Sequence, residues 1–275
     1  MILVTGATGN VGAQVVAAAL AAGAPVRALV REGSSGLPAG AGRAVGDLNQ
    51  PDSLTGALAG ADALFLMSGY RDAPRLLALA RQAGVKRVAL LSGGAAVAAR
   101  VDNPISQYML GTEQAVRESG LIWTILRPYE FMSNALRWTG QLSQGDVVRA
   151  PFAGIPVAVI DPRDIAAVAV AARLGEGHGG QTYRLSGPGQ LLPAQRLDIL
   201  AAALGRSLRL IPQTDAEARQ EMLASMPAEY VDAFFQFYSG GTLDESTVLP
   251  TVAEITGRPA GTFQEWAAAY AGRFG

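Results

Sequence analysis

The sequence holds no cysteine, a single histidine and little charge. Without cysteine there are no disulfides, no thiolate nucleophile and no sulfur-ligated metal. The one histidine, His178, stands in Gly-Glu-Gly-His-Gly-Gly, which reads as an exposed turn, and one histidine cannot build a histidine-rich metal centre. Lysine and arginine total 22 against 23 aspartate and glutamate, for a net charge of −1. Such a balance gives no footprint for a nucleic acid or an anionic membrane surface. A bilayer span takes about 20 apolar residues, and the alanine-rich stretches here are broken by Gly, Arg or Asp. The chain enters directly on the strand-like Ile2-Leu3-Val4, without the basic start and longer apolar run of a signal peptide. A cytoplasmic location is therefore expected. No Ser/His/Asp set and no paired carboxylates are visible.

What is present is core material. Hydrophobic residues make up 49% of 275 positions, far from a disordered composition. Short apolar runs at 2–5, 26–30, 43–45, 63–67, 87–91 and 123–126 alternate with helix-like stretches near 11–22, 51–59, 73–83 and 105–119. Several runs are apolar on consecutive positions, which implies burial on both faces, as in a parallel sheet covered by helices. The alternation predicts an α/β fold, a doubly wound parallel-sheet Rossmann fold. Residues 1–150 are expected to form the dinucleotide-binding domain. Residues 151–275 are expected to return strands to the sheet and form a smaller substrate cap. In this part, strands are predicted at 157–160, 182–185 and 208–211. Helices are predicted at 162–174 and 193–204, over 215–238 with a fresh start at Pro227, and over 262–273.

The strongest motif is Thr5-Gly6-Ala7-Thr8-Gly9-Asn10-Val11-Gly12, which follows a strand and opens a helix. Gly6 suits a tight turn, Gly9 the approach of backbone to a pyrophosphate, and Gly12 close packing of helix on strand. Free amides at a helix start, with its partial positive charge, favour an anion. At the end of the second strand, where an NAD binder carries an acid for the ribose 2′-hydroxyl, this chain has Arg31. A guanidinium matches a 2′-phosphate by charge and paired donors. The expected cofactor is therefore NADP(H), with Ser34 and Ser35 as further donors and Glu32 as the one opposing charge.

The spacing Gly-x-x-Gly-x-x-Gly resembles the short-chain dehydrogenase/reductases, and more closely their atypical NmrA-like branch. The resemblance extends through Leu29-Val30-Arg31, Gly46-Asp47-Leu48, the run Ser119 to Pro128, Phe131-Met132 with Asn134, and Asp161-Pro162-Arg163-Asp164-Ile165-Ala166. It covers residues 1 to about 170. It implies that Asp47 and Leu48 touch the adenine, and that Met67-Ser68-Gly69 and Ser92-Gly93-Gly94 flank the ribose and nicotinamide. Thr8, Asn10 and Val11 join the phosphate loop.

Most reductases of that family use Tyr-x-x-x-Lys, the tyrosine giving a proton while the lysine lowers its pKa. Here Tyr108 is followed four residues later by Thr112. Aligning Glu113 and Ser119-Gly120 with the family pattern puts Ile105 and Met109 in the Tyr and Lys positions. Ser92 and Tyr108 remain as catalytic candidates, Ser92 by hydrogen-bonding a substrate oxygen. Arg127 and Glu113 read as structural, and Asp164 as a helix cap. Residues 222–238 carry a wide apolar stripe including Phe234, Phe235 and Tyr238. It suits a core-facing helix, a homodimer surface, or an aromatic wall over a flat substrate. Tyr129, Phe131 and Met132 are expected to line the same pocket. An acceptor whose reduced form is a stabilised anion needs no tuned donor. The reading is thus an NADPH-dependent reductase of a quinone or an aromatic or conjugated carbonyl compound, including the aromatic polyketide intermediates on which the family acts. The alternative is a non-enzymatic NADP(H)-binding redox sensor.

Overall fold

Apolar residues on consecutive positions cannot satisfy a strand that has one face in water, so the strands of the first half are driven to the middle of a covered sheet. A computed structural model shows this arrangement; it describes residues 1–34 and 36–274. The elements run β1 (Ile2–Val4), α1 (Gly12–Ala21), β2 (Val26–Val30), β3 (Gly42–Val45), α2 (Thr55–Leu58), β4 (Ala63–Met67), α3 (Ala73–Gln82), β5 (Arg87–Leu91), α4 (Pro104–Glu118), β6 (Ile122–Pro128) and α5 (Thr139–Leu142). They continue as β7 (Val147–Ala150), α6 (Pro162–Leu174), β8 (Gln181–Leu185), α7 (Pro193–Leu204), β9 (Arg209–Pro212), α8 (Asp215–Leu223), α9 (Ala228–Phe237), α10 (Thr251–Thr256) and α11 (Phe263–Tyr270).

Seven strands form one parallel sheet in the order β3-β2-β1-β4-β5-β6-β8. The chain travels outward from β1 to β3 and then returns to β4 on the other side of β1. This reversal opens a crevice at the C-terminal strand ends, where open α/β sheets bind ligands. One face is covered by α1 and α6, with Val15, Val16, Ile165 and Val168 packed on Val4, Phe65 and Leu126. The other face is covered by α2, α3 and α4, with Leu58, Leu76, Leu77 and Val116 on Leu3, Leu64 and Leu90. A smaller core around Trp266, Leu197 and Val148 joins α7 and α11 to a second sheet of β7 and β9.

The second half departs from expectation in three places. Residues 157–160 are buried but make only isolated bridges, Phe131 to Ile160 and Val157 to Leu191. Their continuous apolar run reports burial, which periodicity cannot distinguish from sheet membership. As expected, the helical stretch 215–238 restarts at Pro227, the cap from which α9 begins. Neither β7 nor α10 is foreseen, both being too short to carry a periodic signal. Asp164 does not cap α6. Asp161 does, accepting from the Arg163 amide at 2.8 Å. Asp164 lies one turn further in, buried, and accepts from the Gly261 amide at 2.7 Å and from Arg258 at 2.8 Å.

Asp164 thus ties the C-terminal segment to α6, and its burial raises its pKa even against the Gly261 amide and Arg258. Asp164→Ala is expected to leave a buried amide without an acceptor. The expected cost is about 1–3 kcal/mol, read as a lower urea midpoint with the slope unchanged.

Candidate active site

The site begins at the turn between β1 and α1. Gly6 has φ +59, a conformation disfavoured for side-chain-bearing residues, and a Cβ there would also fall 2.1 Å from the Met67 sulfur. Gly12 stands against the turn itself: a Cβ on it would lie 2.1 Å from the Gly6 carbonyl oxygen and 2.9 Å from that of Thr5. The helix therefore starts directly over the strand end. Thr8, Gly9 and Asn10 are exposed, while Val11 is buried beneath them. The amides of Asn10, Val11 and Gly12 make no hydrogen bond among the described residues. Unpartnered donors at a helix start, reached over glycine backbone, fit a dinucleotide pyrophosphate.

The ends of β2 and β3 supply the neighbouring surface. Arg31 is exposed, and it has no carboxylate partner among the described residues. Burial raises the pKa of the Tyr70 phenol, while Arg31 lowers it and Asp47 raises it, which groups these three residues. The sequence reading missed Tyr70, since no motif contains it. Asp47 shapes its own loop, accepting from the Asn49 amide at 2.9 Å and from Gln50 at 3.3 Å. Leu48 is buried under that loop in the α2–α3 core. Ser34 lies in a turn closed on the Arg31 carbonyl, and Ser35 lies outside the described residues. Met67 and Ser68 end β4, and the Ser68 hydroxyl donates to the Leu91 carbonyl at 3.1 Å.

At the end of β5 the structure reveals a charge centre. Ser92 Oγ donates to Glu113 at 2.7 Å. Glu113 is wholly buried and also takes two bonds from Arg127, at 2.8 and 2.6 Å, and one from Arg117 at 2.8 Å. Desolvation acts to raise its pKa, but these donors outweigh it and hold the carboxyl below its usual range. Glu113 is therefore a carboxylate, and the Ser92 proton points at it. What Ser92 can offer a ligand is a lone pair, rather than the donated proton that hydrogen-bonding a substrate oxygen would require.

The same helix places Met109 against Gly93, where a Cβ would come 2.9 Å from the methionine methyl carbon. Ile105 is buried with Ala95, Ala98, Ala233 and Phe237. Ile105 and Met109, which the family resemblance aligns with the proton-donating pair, are thus both packed apolar side chains. Tyr108 is half-buried between Gly69 and α9, and burial raises its phenol pKa, with Tyr230 adding to the effect.

The expected aromatic wall is divided. Phe234 and Tyr238 face the end of β5, in one cluster with Tyr108 and Met109. Phe235 turns the other way, onto α8 with Met222 and Met226, beneath the Arg219 guanidinium. Phe152 bridges the two groups, 5.2 Å from the Phe235 ring and 4.9 Å from that of Tyr238, and it holds φ +52 to do so. Tyr129 is buried, its hydroxyl bonded by Arg184 at 2.7 Å. Met132 is buried in the core of α7 and α11. Neither is at an open wall, because the chain after β6 dives under the segment 157–160, where the Met132 amide bonds the Ile160 carbonyl. Phe131 is half-buried against the α1–α6 core.

One acid in this region has no signal in the sequence. Glu245 follows α9 and is buried at 6% exposure. Its Oε2 accepts from the Glu130 amide at 3.0 Å, and its Oε1 lies 2.1 Å from where a Cβ on Gly94 would stand. Burial pushes its pKa up to about 8; the Glu130 amide and Arg184 oppose the rise, while Glu130 and Asp244 add to it.

A doubly wound parallel sheet whose first helix starts on free amides over a glycine turn is the fold of a dinucleotide-binding protein. Residues 6–173 match the family described as NAD(P)H-binding. The chain belongs to this family. It is 41% identical over its whole length, and 99% of the relative's, to the (4-alkanoyl-5-oxo-2,5-dihydrofuran-3-yl)methyl phosphate reductase of Streptomyces griseus. It is 37% identical, at the same coverage, to the NAD(P)H azoreductase of Xenophilus azovorans. A crystal structure of an NADPH-dependent quinone oxidoreductase from Escherichia coli shares the fold, with a TM-score of 0.77 over 98% of this chain and 99% of that one at 24% identity. The protein is an NAD(P)H-dependent reductase, and the sensor alternative falls away. No helix among the described residues is long and apolar enough to cross a membrane.

Gly12→Ala forces α1 off the β1 turn. The expected result is at least a roughly tenfold loss of NADPH affinity by calorimetry, about 1.4 kcal/mol, with the circular dichroism spectrum kept.

Proposed function

We propose that the chain is an NADPH-dependent reductase of conjugated acceptors: quinones and aromatic or conjugated carbonyl compounds. The observation that carries this reading is the pair Ile105 and Met109, apolar and packed where a dehydrogenase of this family would hold its tyrosine and lysine. When bound, NADPH supplies a hydride. The residues of this chain hold the coenzyme, exclude water and roof the acceptor. A conjugated acceptor spreads the charge developing on its oxygen, so it can be reduced without a tyrosine–lysine donor matched to an isolated ketone.

The relatives' names support the same class. A 5-oxo-2,5-dihydrofuran bearing a 4-alkanoyl group has a carbon–carbon double bond conjugated to two carbonyls. An azo group and a quinone are likewise conjugated acceptors of hydride. Phe234 and Tyr238, stacked with ring planes 7° apart, offer flat faces near the end of β5, and Phe152 extends the surface. Arg31, exposed at the end of β2, supports the 2′-phosphorylated coenzyme over its unphosphorylated form.

NADPH oxidation assayed with menadione, conjugated enones and simple aliphatic ketones is expected to show turnover confined to the first two groups. Turnover of aliphatic ketones alone would overturn the reading. Arg31→Ala is expected to raise the KM for NADPH at least about tenfold, the loss of a charge-assisted contact. The KM for NADH should stay where it was.

A further inference from the structure

We propose that Glu245 is the proton donor of the reduction, giving up from Oε1 the proton that accompanies the hydride. This rests on the conjugated-acceptor reading and assigns the step that the absent tyrosine–lysine pair leaves open.

The placement of Glu245 comes from the segment between α9 and α10. It is stitched across the C-terminal ends of three neighbouring strands. Ala99, beyond β5, donates its amide to the Thr242 carbonyl at 2.6 Å; Glu130, beyond β6, donates its amide to Glu245 Oε2 at 3.0 Å; and Leu249 donates to Ser186 Oγ, beyond β8, at 2.8 Å. Glu245 lies in the middle of this strap, between the loop after β5 and the loop after β6. Both loops leave the C-terminal ends of their strands, the side on which open parallel sheets bind ligands. Gly94 makes room for the carboxyl, since any side chain would displace Oε1.

The two oxygens differ. Oε2 is fixed by the Glu130 amide. Oε1 has no hydrogen-bond partner among the described residues, yet it is not one of the sealed, unpartnered side-chain atoms, which are Thr5 Oγ1, Ser133 Oγ, Arg173 Nε, Arg196 Nε and Gln236 Oε1. It is an anchored acid with one oxygen left to act. The ionisable groups around it are Glu130 and Asp244, which favour keeping its proton, and Arg184, which opposes them. Arg196 neutralises Glu130 at 3.0 Å, and the Tyr129 and Tyr238 phenols complete the surroundings, both with raised pKa. An acid that stays protonated near neutral pH is suited to general-acid work.

The step balances simply. Hydride adds to the electrophilic carbon of the acceptor, and the displaced π pair moves to the conjugated oxygen. That pair forms the new O–H bond with the Glu245 proton. The old O–H pair remains on the carboxylate, which water reprotonates.

The test uses Glu245→Gln. The glutamine oxygen can still accept from the Glu130 amide, so a purely structural role survives the change and a proton-donating role does not. We expect kcat with an accepted quinone or enone to fall about 100-fold, within the usual range for losing a general acid, with the NADPH Kd unchanged. The wild-type kcat should decline above about pH 8 as Glu245 loses its proton, and the variant's should be low and flat.

Two readouts need no turnover. A protonated-carboxyl infrared band should be present in the wild type at pH 7, fade around pH 8 and be missing from the variant. The Glu245 pKa is raised in the fold, so its contribution to stability is lost as pH climbs from the unfolded carboxyl value near 4.5 towards about 8. The variant's Tm should therefore match the wild type at pH 5 and exceed it at pH 9. A wild type that reduces these acceptors alongside an equally active variant overturns the assignment alone. Absence of the infrared band at pH 7 does the same. A wild type that reduces none of them overturns the functional reading and this assignment together.

Discussion

The close approach of Gly12 to the Gly6 carbonyl fixes where the first helix begins and where its free amides stand. With no side chain on either residue, α1 starts against the end of β1 and its first amides face outward without acceptors. A helix set back even by the thickness of a methyl group would carry the amides away from the crevice, while the sheet beneath would be unchanged. The Met67 sulfur closing over Gly6 links the turn to β4 as well, so the glycine turn and the point where the strand order reverses are held as one piece.

The buried Glu113 centre does a comparable job on the other side of the crevice. Breaking a buried ion pair by removing one partner generally costs about 3–5 kcal/mol, and here one carboxylate satisfies two arginines and Ser92 at once. It fastens α4 to β5 and β6. The price is chemical: the Ser92 proton is committed inward. Together with apolar Ile105 and Met109, this leaves the β5 end without a conventional donor, and the strap carrying Glu245 enters that space from the far end of the chain.

The fold was readable because its signals are local. Runs such as 63–67 and 87–91 announce buried parallel strands, and the glycine motif announces the turn that follows the first. The shape of the substrate side was not readable in the same way. Phe234, Phe235 and Tyr238 share one helical stripe, yet they divide between two neighbours, because α8 and the end of β5 press on different faces of α9. Met132 reads as a pocket residue and is core, since the segment 157–160 covers it.

The sequence by itself determined the α/β class, the strand and helix order of the first half, the glycine turn between β1 and α1, and the absence of a Tyr-x-x-x-Lys motif. Each depends on residue type at short spacing. Only the tertiary structure decided that Glu113 captures Ser92 and that Glu245 reaches Gly94 and Glu130. Those partners are separated by 21, 151 and 115 positions, respectively. A carboxylate's role is set by the desolvation and charges around it, and these exist only after distant segments have packed together.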